Sequence, residues 1–326
     1  MDELYNFELP EDLIAQSPAN PRDHAKLLIY TRKTGVIVDD YFYNLANYLP
    51  SNTTLVANNT KVDHCRYLFD GGKTEIFVID AVNDRTVKAL VRPGRKFKVG
   101  KTLELAEGLN ANILDVDENG VRTIQFNKPR SCDDLIVASH VPLPPYIQQN
   151  DLLAEEYQTI YAKLPGSLAA PTAGLHFTPE LKDGISEKFQ WQEITLSVGL
   201  GTFAPLKEEN FVTNKLHSES YHISESVWQN IANAKHVTAV GTTTLRTIES
   251  VAISGKLKGD TEIFITPGYN FVRVDSLITN FHLPKTSLLL LVEAFLGSRK
   301  DIEKIYTHAI SERYRFYSFG DGMLIL

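Results

Sequence analysis

Alternation of apolar and polar positions is clearest in the middle of the chain. Leu114, Val116, Ile124 and Phe126 alternate with polar neighbours, the period of strands half-buried against one core. The segments Asn112 to Val116 and Val121 to Phe126 flank Asp117-Glu118-Asn119-Gly120, whose Asn-Gly supplies the positive φ angles of a tight hairpin. Thr74 to Asp80 and Thr86 to Val91 are short β-branched runs separated by the turn signal Asn83-Asp84. No long helical period lies between residues 70 and 127. A small antiparallel β-barrel is predicted for this segment, since closure leaves no exposed strand edge.

Strands and helices mix on either side of it. Pro10 before Glu11-Asp12-Leu13-Ile14 reads as a short helix with proline in its first turn. Thr178-Pro179-Glu180-Leu181 opens another, with threonine as N-cap and an acid favoured by the helix dipole. Ile194 to Val198, Val237 to Val240 and Glu262 to Thr266 read as strands; Thr243 to Ile253 and Ser287 to Leu296 read as helices. Strand followed by helix recurs, which predicts a mixed α/β body. The stiff stretch Val141-Pro142-Leu143-Pro144-Pro145-Tyr146 marks a return to it. The expected organisation is therefore a body of residues 1–65 and 146–326 carrying an inserted barrel of residues 66–145.

Composition fits this picture. The 326 residues are 43% hydrophobic and 22% charged, which excludes a disordered or fibrous chain, and a core of this size needs no covalent staples. The two cysteines, Cys65 and Cys132, are too few for a disulfide framework or a thiolate cage. Met1-Asp2-Glu3-Leu4 lacks the cationic start of a signal peptide. The most apolar run, Leu288 to Val292, is cut by Glu293, well short of the ~20 residues of a membrane span. A cytoplasmic protein without membrane contact is expected. The formal net charge of −7 argues against non-specific coating of nucleic acid. Its distribution alters that conclusion, because residues 66–145 carry +1 and the remainder −8. One local patch can still meet an RNA.

The run Arg92-Pro93-Gly94-Arg95-Lys96-Phe97-Lys98-Val99-Gly100-Lys101 is such a patch. Its cations Arg92, Arg95, Lys96, Lys98 and Lys101 are suited to phosphates, and Phe97 to stacking on a base. A solvated hairpin face explains the same run.

Five further segments carry candidate chemistry. In Ala169 to Phe177, small residues around Thr172 and Gly174 let a backbone approach a ligand. His176 there suits a general base or donor, or equally the packing partner of a tight turn. Val198-Gly199-Leu200-Gly201-Thr202-Phe203 follows a strand and lacks the third glycine of a dinucleotide fingerprint. It is either a strand end near a ligand or a plain turn. Gly241-Thr242-Thr243 leads into a helix whose free N–H groups suit a carboxylate. Arg246 lies within that helix, one turn from Glu249, with which it could simply pair. His217-Ser218-Glu219 and Asn280-Phe281-His282-Leu283-Pro284-Lys285 complete the set. The three histidines and Glu219 fit no standard zinc spacing, so no metal is expected. Neither a G-x-S-x-G elbow nor a Walker loop is present.

Several stretches stand in a familiar order: Phe7-Glu8-Leu9-Pro10, Leu13-Ile14-Ala15-Gln16, Asn58-Asn59-Thr60, Val91-Arg92-Pro93-Gly94 and Val141 to Ile147. Ala169 to Phe177, Val198 to Phe203, His217-Ser218-Glu219, Gly241-Thr242-Thr243, Pro267-Gly268-Tyr269 and Leu277 to Lys285 continue it. Through them the chain resembles, nearly end to end, the S-adenosylmethionine:tRNA ribosyltransferase-isomerase family of queuosine biosynthesis.

The resemblance implies an α/β body with an inserted β-barrel, and a monomer. It also implies an enzyme that moves the ribosyl part of S-adenosylmethionine to 7-aminomethyl-7-deazaguanine at the tRNA wobble position and isomerises it. The products are epoxyqueuosine in tRNA, adenine and methionine. S-adenosylmethionine is then a consumed substrate, and no separate cofactor is expected. That chemistry needs a base for the ribose carbon beside the sulfonium, a proton donor for adenine and a neutral acceptor amine. His176 and His282 are expected to share the proton transfers, with Glu219 orienting the amine or a histidine. Arg246 or the Gly241–Thr243 turn is expected to hold the methionine carboxylate. Thr172, Gly174, Gly199, Gly201, Thr202, His217, Gly241, Thr242 and Lys285 are the further substrate-binding candidates.

The chain also departs from the family pattern. Gln148-Gln149, Glu156 and Ala204 stand where the family tends to place arginines. Each change removes a phosphate or substrate contact. A paralogue with another amine acceptor, or a non-catalytic RNA-binding module, are the alternative expectations.

Overall fold

The computed structural model describes residues 7–148, 150–199, 201 and 206–326. The chain forms two compact units, one of residues 1–61, 144–149 and 155–326, the other of residues 62–143 with 150–154. The fold is mixed α/β.

Among the described residues, the first unit is built on a nine-stranded sheet. In spatial order its strands are Lys258–Ile263, Lys215–His222, Gln190–Leu196, Thr53–Asn58, His236–Val240, Ser276–Asn280, Gly322–Ile325, Lys26–Thr31 and Val36–Tyr41. Gln190–Leu196, Thr53–Asn58, His236–Val240 and Ser276–Asn280 run parallel. Gly322–Ile325 is inserted antiparallel to Ser276–Asn280 and parallel to Lys26–Thr31.

Neighbouring residues of these strands feed two separate cores. Leu28, Val56, Ala239 and Leu277 belong to one, Leu27, Leu55, Val240 and Ile278 to the other. The helices Thr242–Ser254, Ser287–Leu296 and Arg299–Ser311 supply the first core, and Pro179–Lys188 the second. With both faces covered, every residue of Thr53–Asn58 and Ser276–Asn280 is buried. Such strands read as short apolar runs, not as alternation.

Local signals act where the sequence places them. Thr178 caps Pro179–Lys188, its hydroxyl accepting the Leu181 N–H at 3.1 Å. Gly241, at φ 91°, turns the chain from His236–Val240 into Thr242–Ser254. Two readings shift. The helix after Pro10 is a single 3-10 turn, Glu11–Leu13. The strand expected over 262–266 is Lys258–Ile263, because its register is set by pairing with Lys215–His222.

The second unit holds an antiparallel sheet of Ser139–His140, Arg66–Phe69, Thr74–Ala81, Thr86–Arg92, Arg122–Phe126, Leu109–Val116 and Thr102–Ala106, in that spatial order. It is curled, and no ladder joins its first and last strands among the described residues. The hairpin at 117–120 forms, but Gly120 at φ 80° and not Asn119 takes the positive φ, and the Asp117 carboxylate accepts the N–H groups of Asn119 and Val121.

Two apolar assignments need correction here. Leu114 is 49% exposed, because Leu109, Ala111 and Ile113 take the inward positions. A bulge pairs Thr123 with Asp115 but Ile124 with Ile113, which re-aims the strand. Phe97 is buried, 1% exposed, and so is unavailable for stacking on a base.

Candidate active site

Open α/β sheets bind ligands outside the carboxyl ends of their parallel strands. Here Val198, Gly241 and Phe281 each lie just past such an end. Together with Thr172, Thr242, Thr243, Asn280 and His282 they line a cavity of about 880 Å³, counting the space open at its mouth. Pro145, Tyr146, Leu283, Leu288 and Tyr317 give it an apolar wall, the usual make-up of a small-molecule site with few polar groups.

Hydrogen bonds tie this wall together. The Thr172 hydroxyl donates to Asn280 Oδ1 at 2.9 Å, and Asn280 Nδ2 donates to the Tyr317 carbonyl at 3.3 Å. Tyr146 and Ser318 share a hydroxyl–hydroxyl bond of 2.7 Å. Tyr317 sits at φ 71°, a conformation that a bulky residue holds only where its surroundings enforce it. Burial pushes Tyr146 and Tyr317 up to about 12, so both stay phenols at neutral pH.

His282 is 9% exposed. Its Nε2 lies 2.9 Å from the Thr279 hydroxyl, and its backbone N–H donates to the Tyr306 hydroxyl at 2.9 Å. Burial lowers its pKa to about 4, so the ring is neutral near pH 7. When Thr279 donates to Nε2, the proton sits on Nδ1; when Nε2 donates, Nδ1 is bare. A neutral ring held this way can present either a donor or an acceptor.

A second cavity, about 440 Å³ with its open space, shares Thr242, Thr243 and Leu288 with the first. Gly201, His217, Glu219 and Arg246 lie on its wall. Glu219 Oε2 is paired with Arg246 Nη1, and Oε1 accepts the Gly199 N–H at 3.2 Å. Both side chains are buried. The His217 ring lies so close to Gly201 that a Cβ there would sit 2.4 Å from His217 Cβ. Glycine at 201 is thus a packing requirement.

The structure therefore gathers His282, Thr172, Gly241 and Thr242 at the larger cavity and Gly201, His217, Glu219 and Arg246 at the smaller. Gly199 stands beside them through Glu219. Thr202 lies outside the described residues, as do Gln149 and Ala204. Three candidates fall elsewhere. His176 lines neither cavity: its Nδ1 and Nε2 face the carbonyls of Ala173 and Gly320 at 3.1 and 2.9 Å, and its ring stacks on Phe42. Burial lowers its pKa. In either neutral tautomer the ring donates to just one of these carbonyls, and with its stack on Phe42 His176 is held by backbone and packing outside the lining of both cavities. Gly174 packs under Tyr161, whose hydroxyl would lie 2.0 Å from an added Cβ. Lys285 is exposed at φ 61° and lines neither cavity.

Asn280, Tyr146, Tyr317 and Ser318 also line the larger cavity; the sequence places Asn280 in a candidate segment but assigns no role to any of the four. The one signal for Asn280 is a polar residue closing an apolar strand; Tyr146 is masked by its proline-rich surroundings.

On the second unit, Arg92 pairs with Glu75 at 2.9 Å, and Lys96 donates to the Thr74 hydroxyl at 2.8 Å while lying 3.4 Å from Asp70. Arg95, Lys98 and Lys101 are exposed, with no ion-pair partner among the described residues. Glu156, one of the departures from the family pattern, is neutralised by Arg22, whose Nη2 lies 2.8 Å from Oε2. No helix among the described residues is long and apolar enough to cross a membrane.

The family described as "Queuosine biosynthesis protein" matches residues 2–325. The chain is 46% identical to the S-adenosylmethionine:tRNA ribosyltransferase-isomerase of Carboxydothermus hydrogenoformans, over 99% of this chain and 98% of that one. It is 44% identical to the protein of the same name from Desulfitobacterium hafniense, over 99% of both. The crystal structure of the S-adenosylmethionine tRNA ribosyltransferase from Thermotoga maritima matches with a TM-score of 0.56 at 34% identity, covering 98% of this chain and 99% of that one. With this match spanning the whole chain, the protein belongs to the queuosine biosynthesis protein family.

Proposed function

We propose that the protein is an S-adenosylmethionine:tRNA ribosyltransferase-isomerase. It transfers the ribosyl moiety of S-adenosylmethionine to the amine of 7-aminomethyl-7-deazaguanine at the tRNA wobble position and isomerises it, releasing adenine and methionine. The observation that carries this reading is the pair of cavities meeting at Thr242 and Thr243. The larger is apolar with a few hydroxyl and amide groups, fit for a nucleoside; the smaller carries His217 and Ser287 among leucines and holds the buried Glu219–Arg246 ion pair.

The sulfonium acidifies the adjoining ribose carbon, so a neutral nitrogen nearby is useful as proton acceptor. His282 is neutral near pH 7 and is linked to the Thr279 hydroxyl, through which a proton can be exchanged. Its role is to accept a proton at the ribose or to hydrogen-bond the departing adenine. Thr172 and Asn280, locked to each other, position the substrate. Arg95, Lys98 and Lys101 contribute to RNA phosphate binding, with Arg92 and Lys96 partly engaged by Glu75 and Asp70. The protein acts as a monomer in the cytoplasm on this reading.

The test is direct. The protein is incubated with S-adenosylmethionine and an anticodon stem-loop bearing the aminomethyl-deazaguanine, and adenine release and the mass of the RNA are followed. Adenine release dependent on that base, with a matching mass gain, is expected. Release with a different amine acceptor only, or RNA binding without release, would overturn it.

A further inference from the structure

Arg246 is 5% exposed, yet only one edge of its guanidinium is used. Nη1 is paired with Glu219, whereas Nε and Nη2 are buried with no hydrogen-bond partner among the described residues. Buried guanidinium N–H groups without acceptors are rare in native proteins, and each such exception calls for a specific cause. The Thr243 hydroxyl, one helical turn earlier on the same face, is likewise buried without a partner. Both residues line the smaller cavity, at the start of Thr242–Ser254, where Gly241 offers no side-chain cap.

The free groups share one chemistry. Nε and Nη2 form the planar fork that matches the two oxygens of a carboxylate. The uncapped helix start adds N–H groups and positive potential on the same side. Glu219, on the same wall, fixes the guanidinium and sets a negative charge beside it. A cation with two unused N–H groups next to a carboxylate complements the zwitterionic head of an α-amino acid.

We propose that the smaller cavity is a carboxylate subsite, in which Arg246 takes the α-carboxylate of the methionine moiety through Nε and Nη2 with help from the Thr243 hydroxyl. The nucleoside then occupies the larger cavity, and Thr242 and Thr243 stand at the junction. Glu219 is a positioning residue that orients Arg246. The proposal rests on the S-adenosylmethionine reading and decides which end of that substrate lies where.

Decarboxylated S-adenosylmethionine, which differs only by the missing carboxylate, tests it without altering the protein. Equilibrium binding of both compounds is measured on the full chain, with and without the RNA stem-loop. The wild type is expected to bind the decarboxylated compound roughly 10- to 100-fold more weakly, the effect of losing charge-assisted hydrogen bonds. Arg246→Lys keeps a cation for Glu219 but removes the fork; it should weaken S-adenosylmethionine and leave the decarboxylated compound within about threefold. Equal binding of both compounds by the wild type overturns the subsite and leaves the ribosyltransferase reading standing. Failure of S-adenosylmethionine to bind under either condition overturns both.

Discussion

His176 lies face to face with Phe42, ring centroids 4.1 Å apart and planes within 1° of parallel. The stack joins the 3-10 turn Thr172–His176 to the turn Phe42–Asn47, and the His176 imidazole also reaches the Gly320 carbonyl. His176→Ala should therefore lower stability by about 2–4 kcal/mol, because it opens a cavity and removes the aromatic stack. S-adenosylmethionine affinity of the folded protein should change by less than about threefold. Denaturant unfolding and equilibrium binding check the two halves; an unaltered midpoint with abolished turnover would restore His176 to the chemistry.

Buried neutral histidines also set a pH dependence. Burial lowers His282 to about 4 and His176 below its ordinary value, whereas both titrate near ~6.5 in the unfolded chain. Above that pH neither state takes up the proton and the effect vanishes. As pH falls below about 6.5, the unfolded chain is protonated while the folded one is not, and stability is lost until pH reaches the folded value. His282 alone should account for on the order of 3 kcal/mol between about pH 6.5 and 4. Unfolding midpoints should decline through that window, and less steeply in His282→Gln. Identical slopes for the two proteins would sink the assignment.

Two glycines of one segment separate packing from tolerance. A Cβ at Gly201 would meet His217 Cβ, Cγ and Cδ2 within 2.5 Å, while one at Gly199 would meet nothing within 4 Å. Gly201→Ala must move His217 and should raise the KM for S-adenosylmethionine by roughly tenfold or more, a displacement of about 1 Å being enough for such losses. Gly199→Ala should stay close to wild type. Equal effects of the two substitutions would show that His217 yields freely.

Charge reversal of Arg95, Lys98 and Lys101 to glutamate should weaken stem-loop binding and flatten its dependence on salt. The log–log slope should fall by up to about 0.7–0.9 for each phosphate no longer neutralised. S-adenosylmethionine binding should be untouched. An unchanged slope would return the run to a solvated surface.

How much the sequence reveals depends on the reach of each signal. The Thr178 cap, the Gly241 turn and the Asn119-Gly120 hairpin act over a few residues and are legible. Leu114 faces outward because Leu109, Ala111 and Ile113 already hold the inward positions of its strand, and the bulge that leaves it unpaired breaks the alternation towards Val116. The placement of His176 depends on Phe42 and Gly320, both distant in the chain, and no local pattern distinguishes it from His282. The strands Lys26–Thr31 and Gly322–Ile325 escape prediction because full burial erases their periodicity. Arg246 is legible as an anion candidate; its pairing with Glu219 on the neighbouring strand, and the two N–H groups left over, are not.

The strand Gly322–Ile325 fills the gap between Ser276–Asn280 and Lys26–Thr31, and the bond from the Lys26 N–H to Asp321 spans 295 residues. On a ribosome, the first of these strands emerges long before the piece that docks beside it. Until residues 314–325 are made, its flank has no native neighbour there, and the Tyr317-Ser318 side of the larger cavity is missing. Binding competence and completion of the sheet thus arrive together, once residues 314–325 have been made. A nascent chain interrupted before that point is left with an open strand edge and no finished site, a product for chaperones and proteases to recognise.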